Sequence, residues 1–248
     1  MNIKFLSYNI QSWDVTDRRI KGIFDLIKRH NPDIICFQEV TVGWYSLLKK
    51  ELGDKYTLTG RDRFFGDKTR AKRYFERNCV AFKKNRFRPI KCRTYWLGPD
   101  MYNPSHFEGA GLNRIFTTAY LLDKKTNKKI LAISTHFDDR LPDVRAKQAV
   151  VLSNFINEQK VPLLLMGDFN SEPTEEAYKT IRNSAIDIGE ELGVTDDTYH
   201  GYNQHPSKRI DFAFRNNKIK PKSIALVKDC FEELPPSDHY PIECIIKK

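Results

Sequence analysis

Six times along this chain an apolar run closes on a carboxylate, an amide or a histidine: Tyr8-Asn9, Gln38-Glu39, Thr135-His136, Gly167-Asp168-Phe169-Asn170, Ile210-Asp211 and Ser237-Asp238-His239. A short run that is apolar throughout reads as a strand buried on both faces. Such a strand delivers its last polar residue to the rim of the core, where the position is fixed and loops admit a substrate. Singly, each ending has a plainer reading: Asn9 as a turn residue, Glu39 as a surface acid, His136 as a satisfied structural histidine. Six endings in one chain are much harder to assign to chance.

The segments between these endings mix helix and strand. Ile3 to Ile10 suits a strand. Ile20, Ile23, Phe24 and Ile27 then recur at helical spacing until Asn31-Pro32 stops the helix. Asp33 to Phe37 reads as a second buried strand, and Trp44 to Leu52 as a second helix. The polar stretch Arg61 to Arg77 carries seven Lys/Arg, three acids and four aromatics; it reads as a long loop holding at most one irregular helix. Strands resume at Cys79 to Phe82 and Phe87 to Trp96. A hairpin follows, with Phe116 to Leu122 and Ile130 to His136 joined by a lysine-rich turn. Asp143 to Asn157 is helical, and Val161 to Asp168 is another buried strand. Arg209 to Phe214, Lys222 to Val227 and Tyr240 to Ile246 complete the pattern. Strands outnumber helices, the class is α/β, and with no repeat or linker residues 1–248 read as one domain.

Composition narrows the class further. The balance of 40% apolar and 30% charged residues is that of a globular chain. No run approaches the ~18 apolar residues of a membrane span, and the first residues lack a signal-peptide core. The five cysteines form no CxxC pair, and Cys36, Cys79 and Cys244 lie in apolar runs. That pattern argues against a disulfide framework or a cysteine-built zinc site and, with no signal peptide, for a cytoplasmic protein, expected to be a monomer. The net charge of +10 points to a polyanionic partner, nucleic acid first, although a lysine-rich surface reads the same way.

The chemistry on offer is acids, amides and histidines, with no GxSxG, HExxH or GxxxxGK[ST] motif. Hard oxygen donors such as Glu39 and Asp238 suit Mg²⁺, with Mn²⁺ able to substitute. Neutral donors such as Asn9, Asn170 and His239 suit phosphoryl oxygens.

Together the motifs SYNI, FQEV, STHFDD, GDFNSEP, RIDFAF and PSDHYPI, in that order from Ser7 to Ile242, resemble the endonuclease/exonuclease/phosphatase superfamily. Deoxyribonuclease I, abasic-site endonucleases, deadenylases, sphingomyelinases and inositol polyphosphate 5-phosphatases belong to it. The resemblance implies a four-layer α/β/β/α sandwich with two packed, mostly antiparallel sheets. It also implies roles. Glu39 matches the principal metal-ligand glutamate, and Asn9 and Asp238 match groups that complete or support the metal site. Asp168 matches the residue that orients and deprotonates the attacking water, and Asn170 the amide at the scissile phosphate. His239 matches the histidine on the phosphoryl group, Asp211 the carboxylate orienting it, and His136 a histidine that stabilises developing charge.

Further candidates are Asn113 and Arg114, the latter able to grip a phosphate with both arms. His200 lies in Thr198-Tyr199-His200-Gly201-Tyr202, a segment similar to one in small bacterial-type members. Val40-Thr41-Val42-Gly43 stands where abasic-site enzymes carry a lysine, and His136-Phe137-Asp138-Asp139 departs from the tyrosyl-DNA phosphodiesterase pattern. The expected function is Mg²⁺-dependent hydrolysis of a phosphodiester, with nucleic acid as the favoured substrate and no protein partner. The alternatives are a phosphatase or phospholipid/inositol-phosphate hydrolase on the same fold, or a non-catalytic basic binding module.

Overall fold

The computed structural model describes residues 2–67, 69–202 and 207–247; Lys68 and the side chain of Arg73, both in the basic stretch, lie outside the described set. In β1 (Asn2–Asn9), Ile3 and Phe5 face a second sheet while Leu6 and Tyr8 face a helical layer, which is why both parities are apolar. α1 (Asp17–His30) starts where the Thr16 hydroxyl accepts from the Arg19 amide. It ends where Asn31 takes φ 47°, a left-handed cap that Asn tolerates. It crosses to β2 (Ile34–Val40), parallel to β1. α2 (Val42–Leu52) sets Trp44 and Leu48 into the same helical layer. β3 (Tyr56–Thr59) and β4 (Arg77–Lys83) extend this sheet to its edge.

The chain then builds the second sheet from β5 (Phe87–Trp96), β6 (Ile115–Asp123), β7 (Lys128–His136), α3 (Pro142–Asn157), β8 (Leu163–Asp168), α4 (Glu176–Arg182), β9 (Ile186–Asp187), α5 (Ile188–Leu192) and β10 (Asp211–Arg215). β11 (Lys220–Leu226) and β12 (Ile242–Lys247) return to the first sheet, β12 lying antiparallel to β1. The orders are β11-β12-β1-β2-β4-β3 and β5-β6-β7-β8-β10-β9. Only β1–β2 and β7–β8 run parallel among the described strand pairs. α3 and α4 cover the outer face of the second sheet, and α1 and α2 that of the first. The architecture is therefore the expected α/β/β/α sandwich.

Departures from the sequence reading have local causes. Pro162 and Pro241 lack amide donors, so β8 and β12 begin after them, at Leu163 and Ile242. The short helices α4 and α5 were not expected, because they are too brief to show a helical period. The 61–77 stretch is the foreseen loop with one 3₁₀ turn, Lys72–Tyr74. Much of its charge is spent internally: Arg63 grips Glu76 with both arms at 3.0 and 3.1 Å, and Arg77 pairs with Asp62 at 3.5 Å. No helix among the described residues is long and apolar enough to cross a membrane. The cysteines are free, with Cys36, Cys79 and Cys244 buried.

Candidate active site

β2 opens the site with a bulge. Phe37 pairs with Cys79 and Val40 with Arg77, so Gln38 and Glu39 together oppose Asn78 alone. The extra residue puts Glu39 at φ 60°, a conformation rare outside glycine. The kink sends the Glu39 carboxylate into the cleft, whereas Gln38 stays between the sheets and donates to Ser134 Oγ at 3.0 Å. Beside it, the Asn9 amide nitrogen bridges two acids, donating to Glu39 Oε1 at 3.0 Å and to Asp168 Oδ2 at 2.9 Å. Asn9 Oδ1 accepts from the Gln11 amide at 3.0 Å, which fixes the side chain with its nitrogen between the two carboxylates. Ser12 N donates to Glu39 Oε2 at 2.7 Å.

The loop after β1 is held from within by Arg19. Its buried guanidinium donates to Trp13 O, Asp14 O and Pro236 O at 2.6, 2.7 and 2.9 Å, and also to Ile10 O. One side chain thus ties the 10–14 loop to the segment that carries Asp238.

The second sheet brings three chemical groups abreast. In register, Asp168 lies between His136 on β7 and Asp211 on β10. Phe169 anchors the turn by packing on Phe137, Phe212 and Phe214, with centroids 4.9 to 5.6 Å apart. Asn170 takes φ 46°; its backbone N–H donates to Asp168 Oδ1 at 2.8 Å and its amide to His136 Nε2 at 3.0 Å. His239 donates from Nδ1 to Asp211 Oδ2 at 2.8 Å, leaving Nε2 3.8 Å from Asp168 Oδ2.

Charge states follow from these surroundings. Burial works against a charged His239, but Asp211 and then Asp168 outweigh it and raise its pKa to about 10. His136 is pushed well below the usual histidine range by burial, then by Arg114 and Arg63, and stays neutral. The Asp168 carboxyl is raised, first by burial and then by the neighbouring Asp211 carboxylate. Burial likewise raises Asp238.

These groups line or underlie a cleft of about 870 Å³. The expected residues Glu39, His136, Asp168, Asn170, Asp238, His239 and Arg114 line it, with Asn9 and Asp211 hydrogen-bonded just behind. Two expected substrate contacts do not reach it. Asn113 is buried and donates to Arg63 O at 3.1 Å, bracing the 61–77 loop. His200 is buried against Tyr240, its backbone amide donating to Asp238 O at 3.0 Å, so it supports the Asp238–His239 turn from behind. Its pKa falls to about 4, through burial and then the charge of His239.

The ligand atoms of Glu39, His136 and Asp168 lie within 4.8 Å of one another, as do those of Asp168, Asp211 and His239. In the first group the Glu39 and Asp168 carboxylates are oxygen donors of the kind a hard divalent cation takes, while His136 Nε2 is already taken by the Asn170 amide. The second holds a cationic imidazole and is an ion-pair network. Asp238 lies outside both groups and accepts from Gln11 Nε2 at 3.2 Å.

Thr198 was missed as a site residue although its segment was singled out. Its hydroxyl donates to Asp211 Oδ2 at 2.7 Å and accepts from the backbone N–H of Ile210 and Asp211 at 3.1 and 3.0 Å. Thr198→Val leaves two buried amides without an acceptor and frees Asp211 to turn. The expected outcome is a loss of about 1–3 kcal/mol in denaturant unfolding together with a fall in kcat. Unchanged kcat in the folded variant would deny Thr198 a positioning role.

A family model described as the Endonuclease/Exonuclease/phosphatase family matches residues 6–239. Among solved structures, a mannosyl-6-phosphatase of Bacteroides thetaiotaomicron superposes with a TM-score of 0.90 at 21% identity, over 99% of this chain and 100% of that one. An endonuclease/exonuclease/phosphatase of Bacteroides vulgatus gives a TM-score of 0.89 at 25% identity, over 100% of this chain and 99% of that one. A curated relative, the probable CCR4-Not complex 3′-5′-exoribonuclease subunit Ccr4 of Encephalitozoon cuniculi, is 24% identical over 202 residues. That match takes in 72% of this chain but only 40% of the relative's length.

Proposed function

The chain belongs to the endonuclease/exonuclease/phosphatase family, and from that premise we propose that it is a Mg²⁺-assisted phosphoester hydrolase acting on a small, hydroxyl-bearing phosphate ester. The observation that carries the reaction is the convergence on one buried carboxylate. Asp168 Oδ2 lies 2.9 Å from Asn9 Nδ2, 3.6 Å from His136 Nε2 and 3.8 Å from His239 Nε2. Phosphoryl transfer asks mainly for positioning and charge neutralisation, which this arrangement can supply.

In this reading Asp168, made more basic by its burial, orients the attacking water and takes its proton at a carboxylate oxygen. His239 carries its charge toward the phosphoryl oxygens through Nε2–H, because Asp211 occupies Nδ1. Asn170 holds neutral His136 beside them. Glu39 would hold the cation, leaving Asp168 as the base; when bound, the cation would supply Lewis-acid stabilisation of charge on phosphate. Activity is expected to fall by about a hundredfold or more in chelator and to return with Mg²⁺ or Mn²⁺; full turnover in chelator contradicts a metal role.

The substrate preference rests on the cleft wall. Three arginine–carboxylate pairs line it: Arg63–Glu76, Arg114–Asp139 and Arg145–Glu175, the last two at 2.6 Å. Each pair is close to neutral and offers both donors and acceptors, which suits hydroxyl groups. Across the whole lining eight carboxylates stand against five Lys and Arg, so the further phosphates of a long strand would meet net negative charge. A nucleic-acid substrate remains the second reading, supported by the net charge of +10 and by the exoribonuclease named among the curated relatives. A panel with Mg²⁺ separates them: sugar phosphates, an inositol phosphate, 4-nitrophenyl phosphate, poly(A), single-stranded DNA and an abasic duplex. kcat/KM is expected to be highest on a sugar or inositol phosphate; a higher value on poly(A) or DNA reverses the assignment.

A further inference from the structure

A second pocket of about 510 Å³ lies where β3 and β5, each the edge strand of its own sheet, come together. It differs from the cleft in composition: two arginines line it, Arg61 and Arg93, and no carboxylate does. Neither arginine has an ion-pair partner among the described residues, whereas Arg63, Arg77, Arg86 and Arg114 nearby in sequence are all paired. Both guanidinium groups are already oriented. Arg61 lies 4.4 Å over the Phe65 ring, and Arg93 lies 5.1 and 4.9 Å from the Tyr95 and Tyr102 rings. Stacking of this kind fixes the guanidinium plane and leaves its N–H edges free, the geometry that receives a phosphate with two bonds.

Aromatic surface completes the lining. Tyr102 is 56% exposed, and Tyr45 and Trp96 stand beside it in the pocket. The volume falls within the range of small-molecule sites. We propose that this pocket is a second ligand site, separate from the hydrolytic cleft, that takes a phosphorylated nucleoside. Arg61 and Arg93 bind its phosphate, and the exposed Tyr102 face takes its base. The Trp96 indole links the pocket to the cleft wall, since it donates to Arg63 O at 2.8 Å and Arg63 faces the cleft. Occupancy is therefore read by Trp96 fluorescence as well as by heat.

The test is titration calorimetry of the full chain in chelator, with ADP and adenosine as probes. ADP is expected to bind one site, with a change in tryptophan emission, and adenosine to bind at least about tenfold more weakly. Arg61→Ala with Arg93→Ala, and separately Arg93→Glu, which leaves the 61–77 loop untouched, are each expected to weaken ADP binding by about tenfold or more. Both variants should hydrolyse 4-nitrophenyl phosphate at the wild-type rate. The site is refuted by ADP affinity that survives both variants, which would put the nucleotide in the cleft. It is refuted equally by adenosine binding as tightly as ADP, or by an absence of ADP binding to the wild type.

Discussion

Asp168→Asn is expected to lower kcat by about three orders of magnitude while the protein stays folded. The substitution keeps shape and volume and removes the one group in the cleft whose burial and neighbour make it a base near neutrality. Its structural cost can be read from its partners. Asp168 accepts from the Asn170 backbone amide at one oxygen and from Asn9 Nδ2 at the other. An asparagine has one acceptor oxygen, so one of these bonds is lost and an amide nitrogen faces an amide nitrogen. That costs about 1–2 kcal/mol, too little to unfold a chain of this size. Steady-state kinetics beside a denaturant melt separate the two effects. A wild-type rate in the folded variant removes Asp168 from the mechanism. A collapse of the melt with turnover preserved per folded molecule would make its role structural.

The ends at Asn9, Glu39, His136 and Asp168 proved legible because two-faced burial leaves a plain trace, an apolar run and then a polar residue; Asp211 instead opens β10, and Asp238 and His239 lie in the loop before β12. What the trace does not carry is direction. Gln38 and Glu39 are adjacent, so in a regular strand they face opposite ways, and either could have been the one in the cleft. Only the bulge opposite Asn78 decides it. Arg19 is illegible for a related reason. On a helix of otherwise ordinary pattern it reads as a solvated cation, yet it is 1% exposed and bound to five backbone carbonyls. Its partners come from loops, whose course no periodicity predicts. Asn113 and His200 look like substrate contacts in the sequence because polar residues beside a motif invite that reading; in the fold both brace loops that carry site residues. In the 61–77 stretch, likewise, a count of arginines does not reveal that Glu76 and Asp62 are folded back onto Arg63 and Arg77.

The ending Gly167-Asp168 holds the other large effect. Gly167 sits mid-sheet, paired with Thr135 on β7 and Phe212 on β10, at φ +156°. A Cβ built there would meet Thr135 O at 2.1 Å and the Thr135 carbonyl carbon and nitrogen at 3.0 Å. These are backbone atoms of a fully buried residue, so no flexible side chain can yield. Relief requires β7 and β8 to part, and those strands carry His136 and Asp168. Gly167→Ala is therefore expected to cost about 3 kcal/mol or more, or roughly 6–12 °C in Tm for a domain of this size. It should also cost activity, because the separation falls between two groups that must stay 3.6 Å apart. Gly43→Ala is the matched control: Gly43 lies in the first turn of α2 with nothing within 4 Å of an added Cβ. There the same methyl is expected to leave Tm unchanged or raise it, since alanine is the better helix former. Equal melts for the two variants would mean that the β7–β8 ladder accommodates a side chain at 167. The close approach would then not be what holds His136 against Asp168.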